Sequence, residues 1–246
     1  NNYEASSLSK LPTAYDYIRL GHPLSCVLEW AIARLLQLEL EYVVSFSSST
    51  APILAVLRKN LLDNKNTRVL YTDHLPDSFD PEVLQTVYGY QFELQKVDTT
   101  DAIAEFDGST LFITKEADLN NLELNANIDF LVNLHPQLGS VLLVNGKHNA
   151  AFISEIQHVR RRETIAMTPA NCLVALKSLV QPLSVESNTN PEVNKKTVLE
   201  AVAQVTDSST KAVVGSSGLS IQYAIMMGLI HDAQENHKGK DIKFIV

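Results

Sequence analysis

Two short stretches of this sequence carry residue types suited to an oxyanion. The first, "YIRLGHP" (residues 17–23), sets Tyr17, Arg19, Gly21 and Pro23 two apart, directly ahead of an apolar-periodic run. Arginine offers a permanently charged, bidentate fork for phosphate or carboxylate. The second is a serine-rich turn that occurs twice, as "SFSSST" (45–50) and "VGSSGLS" (214–220). Each copy lies between an apolar stretch and a helix-period segment. A strand-to-helix turn aims backbone N–H groups and the positive helix pole at whatever lies over the sheet end. Ser48 in the first copy, and Ser217, Gly218 and Leu219 in the second, are the candidate anion ligands. Glycine there lets a backbone come close or take a positive φ. Both turns also fit an ordinary helix N-cap, since serine and threonine cap helices everywhere. Tyr17 and Arg19 equally fit a structural arm whose arginine pairs with a surface carboxylate.

Other chemistry is sparse. Cys26 and Cys172 have no metal or redox spacing, which reads as a reduced, intracellular protein. The seven histidines make no metal-ligand pattern, and no metal is expected. Neither nucleotide-binding glycine fingerprint is present, nor a Gly-x-Ser-x-Gly elbow. Asp73 and Asp129 show no spacing that makes them an acid/base pair. Lys147 reads as a residue of the "NGK" turn, where an amine stays solvated and protonated.

The elements that position these residues alternate. "YVVSF" (42–46), "RVLYT" (68–72), "FELQKV" (92–97), "TLFIT" (110–114) and "SVLLV" (140–144) read as strands. "TAPILAVLRKNLL" (50–62), with Pro52 in its first turn, and "DPEVLQTVYG" (80–89) read as helices. So do "AAFISEIQHVRRR", "ANCLVALKSLVQ" and "VNKKTVLEAVAQV". The pattern predicts an α/β fold with a mostly parallel sheet flanked by helices, and at least three parallel strands within 42–114. Arg160, Arg161 and Arg162 read as a solvated helix face, and "IQYAIMMGLI" as a core helix. Residues 27–72 and 198–246 echo one another as helix, strand, serine turn, helix and strand, with "KAVV" as the second unit's first strand. The chain thus divides into 1–185 and the start of a similar second unit at 186–246.

The chain has 246 residues, 45% of them apolar, and a net charge of −8. An acidic chain with pI near 5.3 has no global drive toward nucleic acid or anionic membranes. No apolar run reaches spanning length. A polar start without Met shows no leader signature and fits either a processed chain or part of a longer product. A cytoplasmic location is expected.

The ordered set of motifs resembles the pyridoxal-phosphate enzymes of cysteine and methionine metabolism, the cystathionine γ-synthase and γ-lyase group. "YIRLGHPLSCVLE" is similar to that family's Tyr-x-Arg-x-Gly-Asn-Pro segment. "SFSSST" falls at its phosphate turn, "YTDHLPDS" at its Asp-x-x-Tyr-Gly-Gly-Thr, and "ITKEADLNN" at its Glu-Thr-Pro-Ser-Asn-Pro. The resemblance spans residues 15–183. It implies the large domain of fold-type I pyridoxal-phosphate transferases, with a homo- or hetero-oligomer in which Tyr17 and Arg19 reach a neighbouring subunit's cofactor phosphate. It also implies Ser48, Asn120, Ser217, Gly218 and Leu219 as cofactor ligands, Glu116 beside Asn120, and a small amino-acid substrate.

The departures define the alternatives. Ser49 replaces the turn glycine, Pro76 replaces the ring-stacking tyrosine, and the segment before "GSVLLV" is too short for both catalytic strands. The Schiff-base lysine position falls near Asn133. That cofactor's chemistry needs the lysine amine and a carboxylate on the ring nitrogen. No lysine here is therefore expected to form a Schiff base, and no catalytic residue is assigned. The chain is either part of, or a divergent member of, such a sulfur amino-acid enzyme, or an inactive copy acting as a structural or regulatory partner. An unrelated nucleotide- or sugar-phosphate-binding α/β protein is the third option.

Overall fold

The computed structural model describes residues 19, 21–100, 103–116, 122, 124–135, 137–180, 191–207 and 211–243. The "GHP" turn begins the first helix, α1 (Pro23–Leu35). Gly21 takes φ +116°, His22 is the N-cap, and Pro23 occupies the first helical position, where no N–H is needed. His22 and Ser25 form a reciprocal capping box. Ser25, Leu28, Glu29, Ile32 and Ala33 then make the buried stripe at helical spacing.

The strands are β1 (Val43–Phe46), β2 (Thr67–Tyr71), β3 (Phe92–Lys96), β4 (Ser109–Thr114), β5 (Phe130–His135) and β6 (Gly139–Val144). They form one sheet in the order β1-β6-β5-β4-β2-β3. β2 is parallel to β3 and β4, and β4 to β5, whereas β6 is antiparallel to both β1 and β5. Five strands therefore run one way and β6 runs back, and 42–114 holds the expected parallel strands. β1, β4 and β6 are buried on both faces, as a covered sheet requires.

Helices cover both faces. α2 (Ala51–Leu62) and α4 (Ala151–Glu163) lie on one, over a cluster that includes Phe46, Val69, Leu111, Phe130 and Val132. α1 and α5 (Pro169–Ser178) lie on the other, over Val43, Leu70, Phe112, Leu131 and Leu143. The short α3 (Pro81–Thr86) follows β2, capped by the Asp80 side chain on the Val83 N–H. The fold is α/β, a mostly parallel six-stranded sheet flanked by helices.

Three expectations are corrected. Arg160 is not solvated: it is 8% exposed and paired with Glu29 at 2.6 Å. "KAVV" is not a strand: residues 211–215 belong to no strand and are mostly exposed, and none of the described strands pairs with them. "IQYAIMMGLI" is not a core helix. It lies in α7 (Gly218–Asn236), which buries no residue and leaves Ile225, Met226 and Leu229 exposed. Beyond α5 come α6 (Pro191–Thr206) and α7, at the two stretches the sequence reading expects as helices of an echoing second unit. The second strand of that echo reaches residues 244–246, which lie outside the described residues.

Candidate functional site

The chemistry-bearing residues gather where the parallel strands end. There β1 runs into Ser47–Thr50, β2 into Thr72 and Asp73, β4 into Lys115 and Glu116, and β5 ends at His135. Open α/β sheets bind ligands outside these carboxyl ends. β6 begins there, and the Ser140 hydroxyl donates to the Ser48 carbonyl at 2.6 Å. This bond ties the first serine turn to the sheet. Gly139 permits the approach: its φ is +128°, and a Cβ there would stand 2.1 Å from the Phe46 carbonyl oxygen.

The first serine turn caps its own helix. Ser48 Oγ accepts from the Thr50 N–H at 3.2 Å and the Ala51 N–H at 3.1 Å. Pro52, at the second helical position, has no N–H to offer. Two donors that an oxyanion would use at this pole are thus taken and a third is absent.

Asn133 stands at the middle of the sheet end, 1% exposed and level with Thr114. Strand alternation puts it and His135 on the α1/α5 face with Leu131. Its Nδ2 donates to the Glu116 carbonyl at 3.0 Å and lies 3.5 Å from His135 Nε2, while its Oδ1 has no partner. Burial pulls the His135 imidazole down to about 4, which keeps it neutral at physiological pH.

The remaining predicted residues are dispersed. Arg19 lies against α4, in a depression with Ser154, Gln157, His158, Arg160 and Arg161 that does not include the first serine turn. Tyr17 and Asn120 lie outside the described residues. The second serine turn caps α7. Ser217 Oγ accepts from the Ser220 N–H, and Ser220 Oγ accepts from the Ser217 N–H. The hydroxyls of Ser216 and Ser217 donate to the carbonyls of Glu163 and Arg162 at the end of α4. The positive pole of α7 thus faces the negative pole of α4. Gly218 lacks a positive φ, and a Cβ on it would meet nothing within 4 Å, so neither conformational reason for a glycine holds. Leu219 is exposed.

Asp73 and Asp129 stand at opposite ends of the sheet, one after β2 and one before β5. Burial acts to raise the Asp129 pKa. Hydrogen bonds from Asn149, the Thr110 N–H and His148 outweigh it and hold the carboxyl below its usual range. Lys147 follows β6 and so sits at the end away from the serine turn. Lys115 is the residue that sequence reasoning passed over. It directly follows Thr114, half-buried, at the site's end of β4. Its signal was a lysine immediately after an apolar strand. Among the described residues no group of histidine, cysteine and acidic side chains could hold a metal ion. Nor is any helix there long and apolar enough to cross a membrane.

Among the described residues, the positions that the resemblance assigns to the lysine and the phosphate turn do not fit a covalently held pyridoxal phosphate. β5 carries Asn133 and His135, its asparagine amide is committed to the Glu116 carbonyl, and Ser48 takes the Thr50 and Ala51 N–H groups.

No family model matches the chain, and no curated protein matches it. Solved structures do. Cystathionine γ-synthase from Xanthomonas oryzae pv. oryzae is 15% identical, with TM-score 0.47, over 81% of this chain and 59% of its own. Cystathionine γ-lyase from Lactobacillus plantarum is 14% identical, with TM-score 0.42, over 73% and 55%. MetB from Corynebacterium glutamicum is 16% identical, with TM-score 0.44, over 87% and 63%. The chain thus spans less than two thirds of each. With TM-scores below 0.5, the likeness does not establish a shared site or activity.

Proposed function

We propose that this chain is a divergent relative of the pyridoxal-phosphate sulfur amino-acid enzymes that has lost the Schiff base and serves as a structural or regulatory partner. The observation that carries the reading is Asn133. The resemblance puts the lysine amine at this place on β5, and here an amide ties down the chain after β4 instead. An asparagine amide has no basic lone pair with which to attack an aldehyde. The self-capped serine turn supports the same reading. A cytoplasmic, oligomeric protein goes with this role.

The test is a titration with pyridoxal phosphate followed by visible absorption, then borohydride reduction and peptide mapping. No aldimine band and no pyridoxyl-lysine are expected. A stoichiometric adduct on Lys115 would return the chain to the enzymes of this group. An adduct on Lys147 would overturn the assignment of the site to the other sheet end.

A further inference from the structure

The depression on α4 has properties of its own. It encloses about 330 Å³, and its lining residues are Arg19, Ser154, Gln157, His158, Arg160 and Arg161. Among the described residues its lining holds no acidic and no apolar side chain, on a chain whose net charge is −8. Helical spacing builds its floor: Ser154, Gln157, His158 and Arg161 stand at i, i+3, i+4 and i+7 on one face of α4. Arg160 forms an inner wall and is held by Glu29 at 2.6 Å, so its orientation is fixed before any ligand arrives. Arg19, two residues ahead of Gly21, also lines the depression.

We propose that this depression binds a phosphoryl group, as the free ion or as a small phosphomonoester. The exposed Arg161 guanidinium fork, the His158 imidazole, the Ser154 hydroxyl and the Gln157 carboxamide supply donors of the kind a compact dianion takes, beside the Arg160 charge that Glu29 holds in place. The volume exceeds that of phosphate alone and suits a small organic ester. Glu29, Glu39 and Glu41 line an adjoining depression that shares Gln157 and Arg160. Their charge opposes an extended polyanion and leaves room for a compact one. The site lies on α4, separate from the first serine turn, so it stands whether or not the carboxyl end of the sheet takes a cofactor.

The test is calorimetric titration of the whole chain with inorganic phosphate and, separately, with glycerol 3-phosphate. One saturable site per chain is expected. Tighter binding of the ester identifies a phosphorylated metabolite as the ligand, and equal binding identifies free phosphate. Arg161→Ala should weaken binding about tenfold or more. Arg161→Lys, which keeps the charge but loses the fork, should weaken it less. Arg162→Ala, an exposed change outside the depression, should leave it unchanged. The unfolding midpoint of each variant checks that the fold is intact. Absence of saturation overturns the proposal. Equal weakening by Arg161→Ala and Arg162→Ala also overturns it, since net charge would then be the cause.

Discussion

Glu29 on α1 and Arg160 on α4, which lie on opposite faces of the sheet, meet at 2.6 Å across the open edge of β1. Between them they satisfy Ser45. Glu29 Oε1 accepts from its N–H at 2.8 Å and its hydroxyl at 2.7 Å, and Arg160 reaches its carbonyl at 3.5 Å. Next along the edge, the Ser47 N–H donates to the Ile165 carbonyl. Side chains and a loop stand here where another strand would pair, which protects an edge that could otherwise template aggregation.

Glu29→Ala strips that protection and leaves a guanidinium buried without its carboxylate. A loss of about 3 kcal/mol is expected, with concentration-dependent aggregation, followed by urea unfolding and light scattering. A paired Glu29→Leu and Arg160→Leu change should cost less than the single one. A single-variant loss below about 1 kcal/mol would place the pair among surface bridges.

Gly139→Ala is expected to be severe. The new Cβ would meet the Phe46 carbonyl at 2.1 Å, at a φ of +128°. A loss of about 3 kcal/mol or more follows from combined strain and displacement of β1 from β6. Gly89→Ala is the control: it also has a positive φ, +70°, but open space around it, so only the backbone strain remains. Equal losses in the two variants would refute the clash.

Acid should act in two windows. The folded pKa of His135 is lowered from 6.5 to about 4. The unfolded chain therefore binds more protons between those values, and stability falls as pH drops from 6.5 toward 4. Asp129 acts lower. Its folded pKa lies below 3.8, so its stabilisation is present above that value and is lost as pH falls through the folded pKa. His135→Asn should flatten the upper slope of a stability–pH curve and leave the lower one. A curve unchanged by that substitution would show His135 to be solvated.

The two cysteines should differ sharply. Cys172 is fully buried, its thiol pushed up to about 12 by burial, and its Sγ lies 3.3 Å from the Met167 carbonyl. Cys26 is exposed on α1. A thiol reagent should modify one cysteine in the folded protein and both in denaturant, because the thiolate is the reactive form. Fast modification of Cys172 in the native state would contradict the packing of α5.

At the second serine turn, Gly218→Ala should be neutral or stabilising by about 0.5 kcal/mol, as alanine is the better helix residue. Ser217→Ala should cost about 1 kcal/mol, because it removes the cap on α7 and a bond to the Arg162 carbonyl. Thermal unfolding separates the two. The reverse order would revive a role for Gly218 in close backbone approach.

Much of the fold was legible because its signals are local. Alternation of apolar runs with helix-period segments marks β2, β4, α2 and α4 directly, and Pro23, Pro81 and Gly21 mark where helices begin. β5 was harder. "FLVNLHPQLGS" interrupts an apolar run with Asn133 and His135, so pattern alone does not close it as a strand. The errors at "KAVV" and α7 share one cause: apolar content reports what a segment could bury, not whether a neighbour is present. The burial of Arg160 was hidden because its partner Glu29 is remote in sequence. At the site, the serine turns were readable as helix starts. That Ser48 consumes the donors itself is a matter of side-chain rotamer, which spacing does not encode.

The sheet order also has a consequence in time. β5 and β6 are joined by a tight turn and can pair as soon as they are made. β1, the first of the described strands in the chain, has β6 as its one partner among them, with Val43 opposite Leu143. Until β6 emerges, "VVSF" is an apolar ribbon with both edges bare, and the arginine that later seals its outer side has not yet been translated. The first of the described strands is therefore the last of them to be seated, and the interval before it docks leaves its apolar ribbon open to misassociation.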